Sequence, residues 1–152
     1  MDAPEKDAER PLTPVGRREV VDIAIALQSL GTKFDVVASS PLKRALETAE
    51  IVARKFKKLN QLEEWDELKP AGDTGKLFQK LSRLKATSRI LVVGHEPYLS
   101  SMIGEIVAGK TSLNLVLKKG GLAKVRINTF KPRISGELRW LLTPKMMTKI
   151  VR

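Results

Sequence analysis

The sequence predicts an α/β fold in which helices flank a mixed β-sheet. Three observations carry this reading. Two short apolar runs rich in β-branched residues, at 34–38 and 89–93, have the composition of buried strands. The segments around them are longer and place apolar residues at helical spacing. After Gly109 the period changes to two, as in an antiparallel pair.

The elements follow in order. Residues 1–12 read as a charged loop containing Pro4 and Pro11. Thr13-Pro14 is a good helix cap followed by proline at the first helical position. Val20, Ala24, Leu27 and Leu30 continue one apolar face, which Gly31 closes. After the first strand, Ser40-Pro41 repeats the cap-plus-proline signal. Leu42, Ala45, Ala49, Val52 and Phe56 then give a helix with a basic C-terminal end. Residues 61–70 form a charged connection, and Asp73 caps a helix through Leu77, Leu81 and Leu84. The second strand follows, then a helix begun by Pro97 and stopped at Gly109. The alternation of 122–127 and 138–142, with a turn at 132–136, predicts the closing pair. The order is helix, strand, helix, helix, strand, helix, strand, strand. Only two strands read as fully buried, whereas such a sheet needs a continuous parallel core. A missing first strand would repair that defect.

Composition narrows the function. The chain has 152 residues, enough for one domain spanning 1–152. It has no cysteine, which removes thiolate catalysis and makes the cytoplasm the expected location. No apolar run approaches the length of a membrane span, so no membrane partner is expected. The net charge of +11 is uneven: residues 1–75 hold 12 basic and 14 acidic residues, residues 76–152 hold 16 and 3. Such a half favours anionic partners, or is simply a solvated basic surface. It offers few aromatics (Phe78, Tyr98, Phe130, Trp140) and no reader motif, so no specific nucleic acid is expected.

Two strand-to-loop junctions hold the chemistry. Arg44 falls in the first turn behind Ser40, where free N–H groups and the helix dipole favour an anion and a guanidinium can fork two phosphate oxygens. The plainer alternative is a surface arginine paired with Glu47 or Asp35. His95, the only histidine, follows the second strand in Gly94-His95-Glu96-Pro97. There an imidazole can bind a phosphoryl oxygen or act as a base, or else satisfy a backbone carbonyl. One histidine without cysteine and without a carboxylate cluster makes a metal site unexpected. Glu67 and Asp73 are the best-placed candidate acids of a region that otherwise reads as a solvated acidic loop with Glu64 and Asp66. Ser39 and Ser40 lack the elbow motif and second histidine of a hydrolase triad.

These residues converge on a family. Arg10-Pro11-Leu12-Thr13-Pro14-Val15-Gly16, Ser39-Ser40-Pro41-Leu42-Lys43-Arg44-Ala45-Leu46-Glu47-Thr48-Ala49 and Gly94-His95-Glu96-Pro97 resemble the histidine phosphatase superfamily, with its phosphoglycerate-mutase-like fold. Glu67-Leu68-Lys69-Pro70-Ala71-Gly72-Asp73 and the ending Leu138-Arg139-Trp140-Leu141-Leu142-Thr143-Pro144 look most like the bacterial phosphohistidine phosphatases of the SixA type. Each motif alone is weak; together, in this order, they are specific.

The resemblance implies a three-layer α/β/α sandwich with a mostly parallel mixed sheet, and a phosphoryl relay. In that relay a histidine of an Arg-His-Gly motif attacks phosphorus, and water then releases phosphate. Two arginines and a second histidine hold the phosphoryl oxygens. Arg44 resembles the second arginine, His95 the second histidine and Ser40 the serine that caps the helix near the pocket. No metal or organic cofactor is implied. The implied substrate is a phosphohistidine protein such as a phosphotransfer domain, with small phosphate esters as an alternative. The Arg-His-Gly motif is absent, and no other histidine can replace it. The expectation is therefore an N-terminally truncated domain that lacks its first central strand and its nucleophile and is inactive as it stands. The alternative is a pseudophosphatase that binds phosphorylated or acidic ligands without hydrolysis.

Overall fold

The computed structural model describes residues 4–151. Its sheet is in two pieces. Strand β1 (Val36–Ser39) lies between β2 (Leu62–Glu64) and β3 (Ile90–Val93), and both pairings are parallel. Strands β4 (Leu122–Thr129) and β5 (Ser135–Leu142) form a separate antiparallel hairpin. The helices are α1 (Pro4–Ala8), α2 (Pro14–Ser29), α3 (Lys43–Lys55), α4 (Thr74–Ser82), α5 (Tyr98–Ala108) and α6 (Pro144–Val151).

The predicted helix signals act where expected. Thr13 Oγ1 accepts the Gly16 N–H at 3.0 Å, with Pro14 opening α2. Asp73 Oδ1 accepts the N–H groups of Gly75 and Lys76 at the start of α4. Gly109 ends α5 in the left-handed region, at φ 72°, which a glycine adopts without a Cβ clash. Val20, Ala24 and Leu27 bury one stripe of α2, and Ala45, Ala49, Val52 and Ala53 one stripe of α3.

The layers follow from which side chains share a core. Leu91 and Val93 of β3 pack against a cluster of Val20, Ala24, Leu27, Ala49 and Val52, and so do Leu122 and Trp140 of the hairpin. Ile90 and Val92, which point to the other face, pack against Leu68, Leu77, Leu81 and Tyr98, as does Ile127 of β4. The two sheet pieces thus lie between the same two helical layers, α2 and α3 on one side, α4 and α5 on the other.

Five readings change. Residues 4–8 of the expected N-terminal loop form one helical turn; residues 1–3 lie outside the described region. The charged connection holds β2, whose pattern Leu62-Glu63-Glu64 carries too little apolar signal to read as a strand. The C-terminal α6 is unpredicted, although Thr143-Pro144 is a start signal; Thr143 Oγ1 accepts the Met146 N–H and Met147 is buried. Helix α3 is not capped by Ser40. It starts at Lys43 with Leu42 as its cap residue, and Ser40 Oγ instead accepts the Leu42 N–H. Strand β3 is not fully buried: all four residues are partly exposed, because β3 is an edge of its sheet.

Candidate active site

The C-terminal ends of β1 and β3 open side by side. Val36–Ser39 aligns with Ile90–Val93, and the Ser40 N–H extends the ladder by donating to the Val93 carbonyl at 2.9 Å. Loops leaving adjacent parallel strands at one end form the crevice in which α/β proteins bind ligands. Ser40 and His95 leave from these two strands, and Arg44 follows in the first turn of α3.

Ser40 is completely buried. Its Oγ accepts the Leu42 N–H at 3.2 Å and lies 2.7 Å from His95 Nε2. The direction of that second bond follows the imidazole tautomer. The His95 carbonyl accepts the Leu99 N–H at 2.9 Å, which fixes the loop to α5. The His95 pKa is lowered from its ordinary 6.5, first by burial and then by the Arg44 charge, with Asp7 acting in the opposite sense. The neutral imidazole is therefore favoured in this state. A bound dianion would reverse the balance by favouring the imidazolium.

Arg44 is half-buried and pairs with neither sequence candidate. Glu47 accepts the Leu12 N–H at 3.0 Å and pairs with Arg17. Asp35 takes the Arg89 N–H at 2.9 Å, at the opposite end of β1. The Arg44 guanidinium instead meets Asp7. Nη1 donates to the Asp7 carbonyl at 2.9 Å, and Nη2 lies 3.4 Å from Asp7 Oδ2. Sequence reasoning missed Asp7. It lies 37 positions from Arg44, in a segment without periodicity, and only the fold brings them together.

The candidate acids have structural partners. Glu67 Oε2 accepts from Lys80 Nζ at 3.3 Å, and the Glu67 carbonyl accepts the Tyr98 hydroxyl. Asp73 caps α4. Burial, followed by the charges of Asp73, Glu105 and Glu67, raises the Tyr98 pKa to about 12, so its hydroxyl stays a donor. Ser40, Arg44 and His95 form one constellation, while Glu67 and Asp73 stand around Tyr98. Glu64 and Asp66 are exposed, as a solvated acidic loop predicts. Among the described residues no group of three His, Cys, Asp or Glu side chains is placed to hold a metal ion.

A buried serine, an imidazole and a guanidinium thus gather at the ends of adjacent parallel strands. Residues 5–81 match the model of the histidine phosphatase superfamily, branch 1. An uncharacterized protein of Picosynechococcus sp. (strain PCC 7002) is 33% identical over 146 residues, covering 93% of this chain and 88% of that protein. The structure of the protein histidine phosphatase SixA complexed with tungstate superposes with a TM-score of 0.82 at 26% identity, over 95% of this chain and 90% of that one. The fold is shared with a SixA-type protein from Nakamurella multipartitia, with a TM-score of 0.76 at 22% identity over 94% of this chain and 90% of that one. No helix of the described residues is long and apolar enough to cross a membrane. The chain belongs to the histidine phosphatase superfamily, branch 1, a family of phosphatases.

Proposed function

We propose that this site serves a phosphohistidine phosphatase in which Arg44 and His95 hold phosphoryl oxygens and Ser40 orients His95. The observation that carries the proposal is the 2.7 Å contact between His95 Nε2 and Ser40 Oγ, beside the first turn of the helix that bears Arg44. The likeness to a protein histidine phosphatase supports the substrate class. In the transition state charge spreads over three equatorial oxygens, and a guanidinium plus an imidazolium stabilise it electrostatically. Glu67 and Asp73 are the candidate carboxyl acids. Both already have partners, and a phosphohistidine leaving group asks for little acid help. The single domain spanning 1–152, a cytoplasmic location and a phosphotransfer domain as partner belong to the same proposal. The basic half of the chain would favour an acidic partner.

The sequence holds one histidine, and His95 fills the supporting role. A nucleophilic imidazole at the end of a strand seated between β3 and the β4–β5 hairpin would complete the relay. Both flanking pieces already share the helical layers that such a strand would touch. The enzyme nitrogen would bond to phosphorus as the substrate's P–N bond breaks, and water would then release phosphate. The binding groups in place also favour a second reading, a phosphate-binding protein without turnover.

The test compares the 152-residue chain with one carrying an added N-terminal strand ending in Arg-His-Gly, on a phosphohistidine protein. The expected result is turnover only with the added strand, and an Arg44→Ala loss of about 10²–10³-fold in kcat, the size seen for removing one transition-state donor. Turnover by the unextended chain would contradict the missing-nucleophile assignment. No turnover by either chain, with phosphate binding intact, would leave the binding-only reading.

A further inference from the structure

We propose that Asp7 is the resident anion of this site, an internal carboxylate that occupies the arginine donors and must leave before a phosphoryl group can enter. The inference rests on the reading of Arg44 and His95 as oxyanion ligands. Both terminal nitrogens of Arg44 are engaged by this one residue. Nη1 donates to the Asp7 carbonyl at 2.9 Å, and Nη2 lies 3.4 Å from Asp7 Oδ2. The other carboxylate oxygen, Oδ1, pairs with Arg10. Asp7 thus gives the Arg44 guanidinium one backbone and one carboxylate oxygen, in the places where the fork would take two phosphoryl oxygens. His95 feels the Asp7 charge and keeps its Nε2 on Ser40. Both groups that would receive phosphate are therefore engaged internally, Arg44 by Asp7 and His95 by Ser40.

Asp7 can leave without breaking the core. It sits in the single turn of α1, and its side chain is about one-third exposed (34%). Neither its carboxylate nor its carbonyl contact joins a sheet ladder. The site is thus self-closed. An anion pays for displacing Asp7 before it gains Arg44, so weakly held anions are excluded while a well-fitted phosphoryl group binds.

The test is calorimetric titration of tungstate and of inorganic phosphate into the full chain, as wild type and as Asp7→Asn, Asp7→Ala, Glu9→Gln and Arg44→Ala. Asp7→Asn keeps the side-chain size and guards against misfolding. Glu9→Gln removes one nearby exposed charge and reports any general effect of the basic protein. The expected result is at least fivefold tighter binding in both Asp7 variants, less than twofold change in Glu9→Gln, and at least tenfold weaker binding in Arg44→Ala. Unchanged or weaker binding in the Asp7 variants, with Arg44→Ala still impaired, overturns the inference and spares the site. An equal gain in Glu9→Gln also overturns it. Wild-type binding by Arg44→Ala, or no binding by any protein, overturns the reading of the site and this inference with it.

Discussion

Strands β1 and β3 are adjacent, parallel and four residues long, yet they differ in burial. Val37, Ala38 and Ser39 expose no surface, whereas every residue of β3 is partly exposed. Ile90-Leu91-Val92-Val93 is nevertheless the more apolar strand. Neighbours make the difference. Among the described residues β1 has a partner on each side and β3 has one. Burial is set by a strand's place in the sheet, and the composition of β3 suits a place with two neighbours. The functional consequence is direct. The β1 junction buries Ser40 completely, while the β3 junction leaves His95 partly exposed.

The largest test of this contrast is a matched truncation. Val37→Ala should lower unfolding stability by about 2 kcal/mol, from the lost methyls plus the cavity they leave. Val92→Ala should cost less than about half of that, since the strand is already in contact with water. Equal losses by denaturant unfolding would break the comparison. Ser40→Ala comes next, at about 1–2 kcal/mol, because it leaves the buried Leu42 N–H without its acceptor and the His95 ring without its Ser40 partner. At the β3 junction Glu96→Ala removes the exposed carboxylate that accepts the Ser100 N–H and hydroxyl, and should cost about 0.5–1 kcal/mol.

The smallest effect is the pH dependence of His95. Its folded pKa lies below the ordinary 6.5, so the unfolded chain binds more protons in that window. The neutral ring's contribution is complete above pH 6.5 and is lost as pH falls through the folded pKa. His95→Gln should flatten that part of the stability profile. Because Asp7 raises the His95 pKa, Asp7→Asn should lower it further in an NMR titration. An upward shift would contradict the placement of Asp7.

Much of this was legible in the sequence. Thr13, Asp73 and Gly109 are local signals, since a cap acts within its own turn, and each marks a helix end in the fold. The apolar runs locate β1 and β3. Strand β2 was not legible, because a three-residue edge strand with two glutamates has no period to read. Arg44 and His95 stand out by their place after strands, but the partner of Arg44 is non-local. Glu47 and Asp35 were reasonable partners by proximity in the chain, whereas Asp7 reaches the site from the segment before α2. The exposure of β3 was illegible for the same reason: composition reports what a strand suits, and its neighbours decide what it receives.

A single histidine gives the site its own reporter. The most direct test of the central claim follows the His95 imidazole ¹H–¹⁵N resonances during a tungstate titration of the wild type and of Arg44→Ala. The expected result is a saturable shift toward the imidazolium pattern in the wild type, and at least tenfold weaker saturation in Arg44→Ala. Resonances that do not respond to tungstate, or that respond identically in the two proteins, would contradict a shared oxyanion site at the ends of β1 and β3.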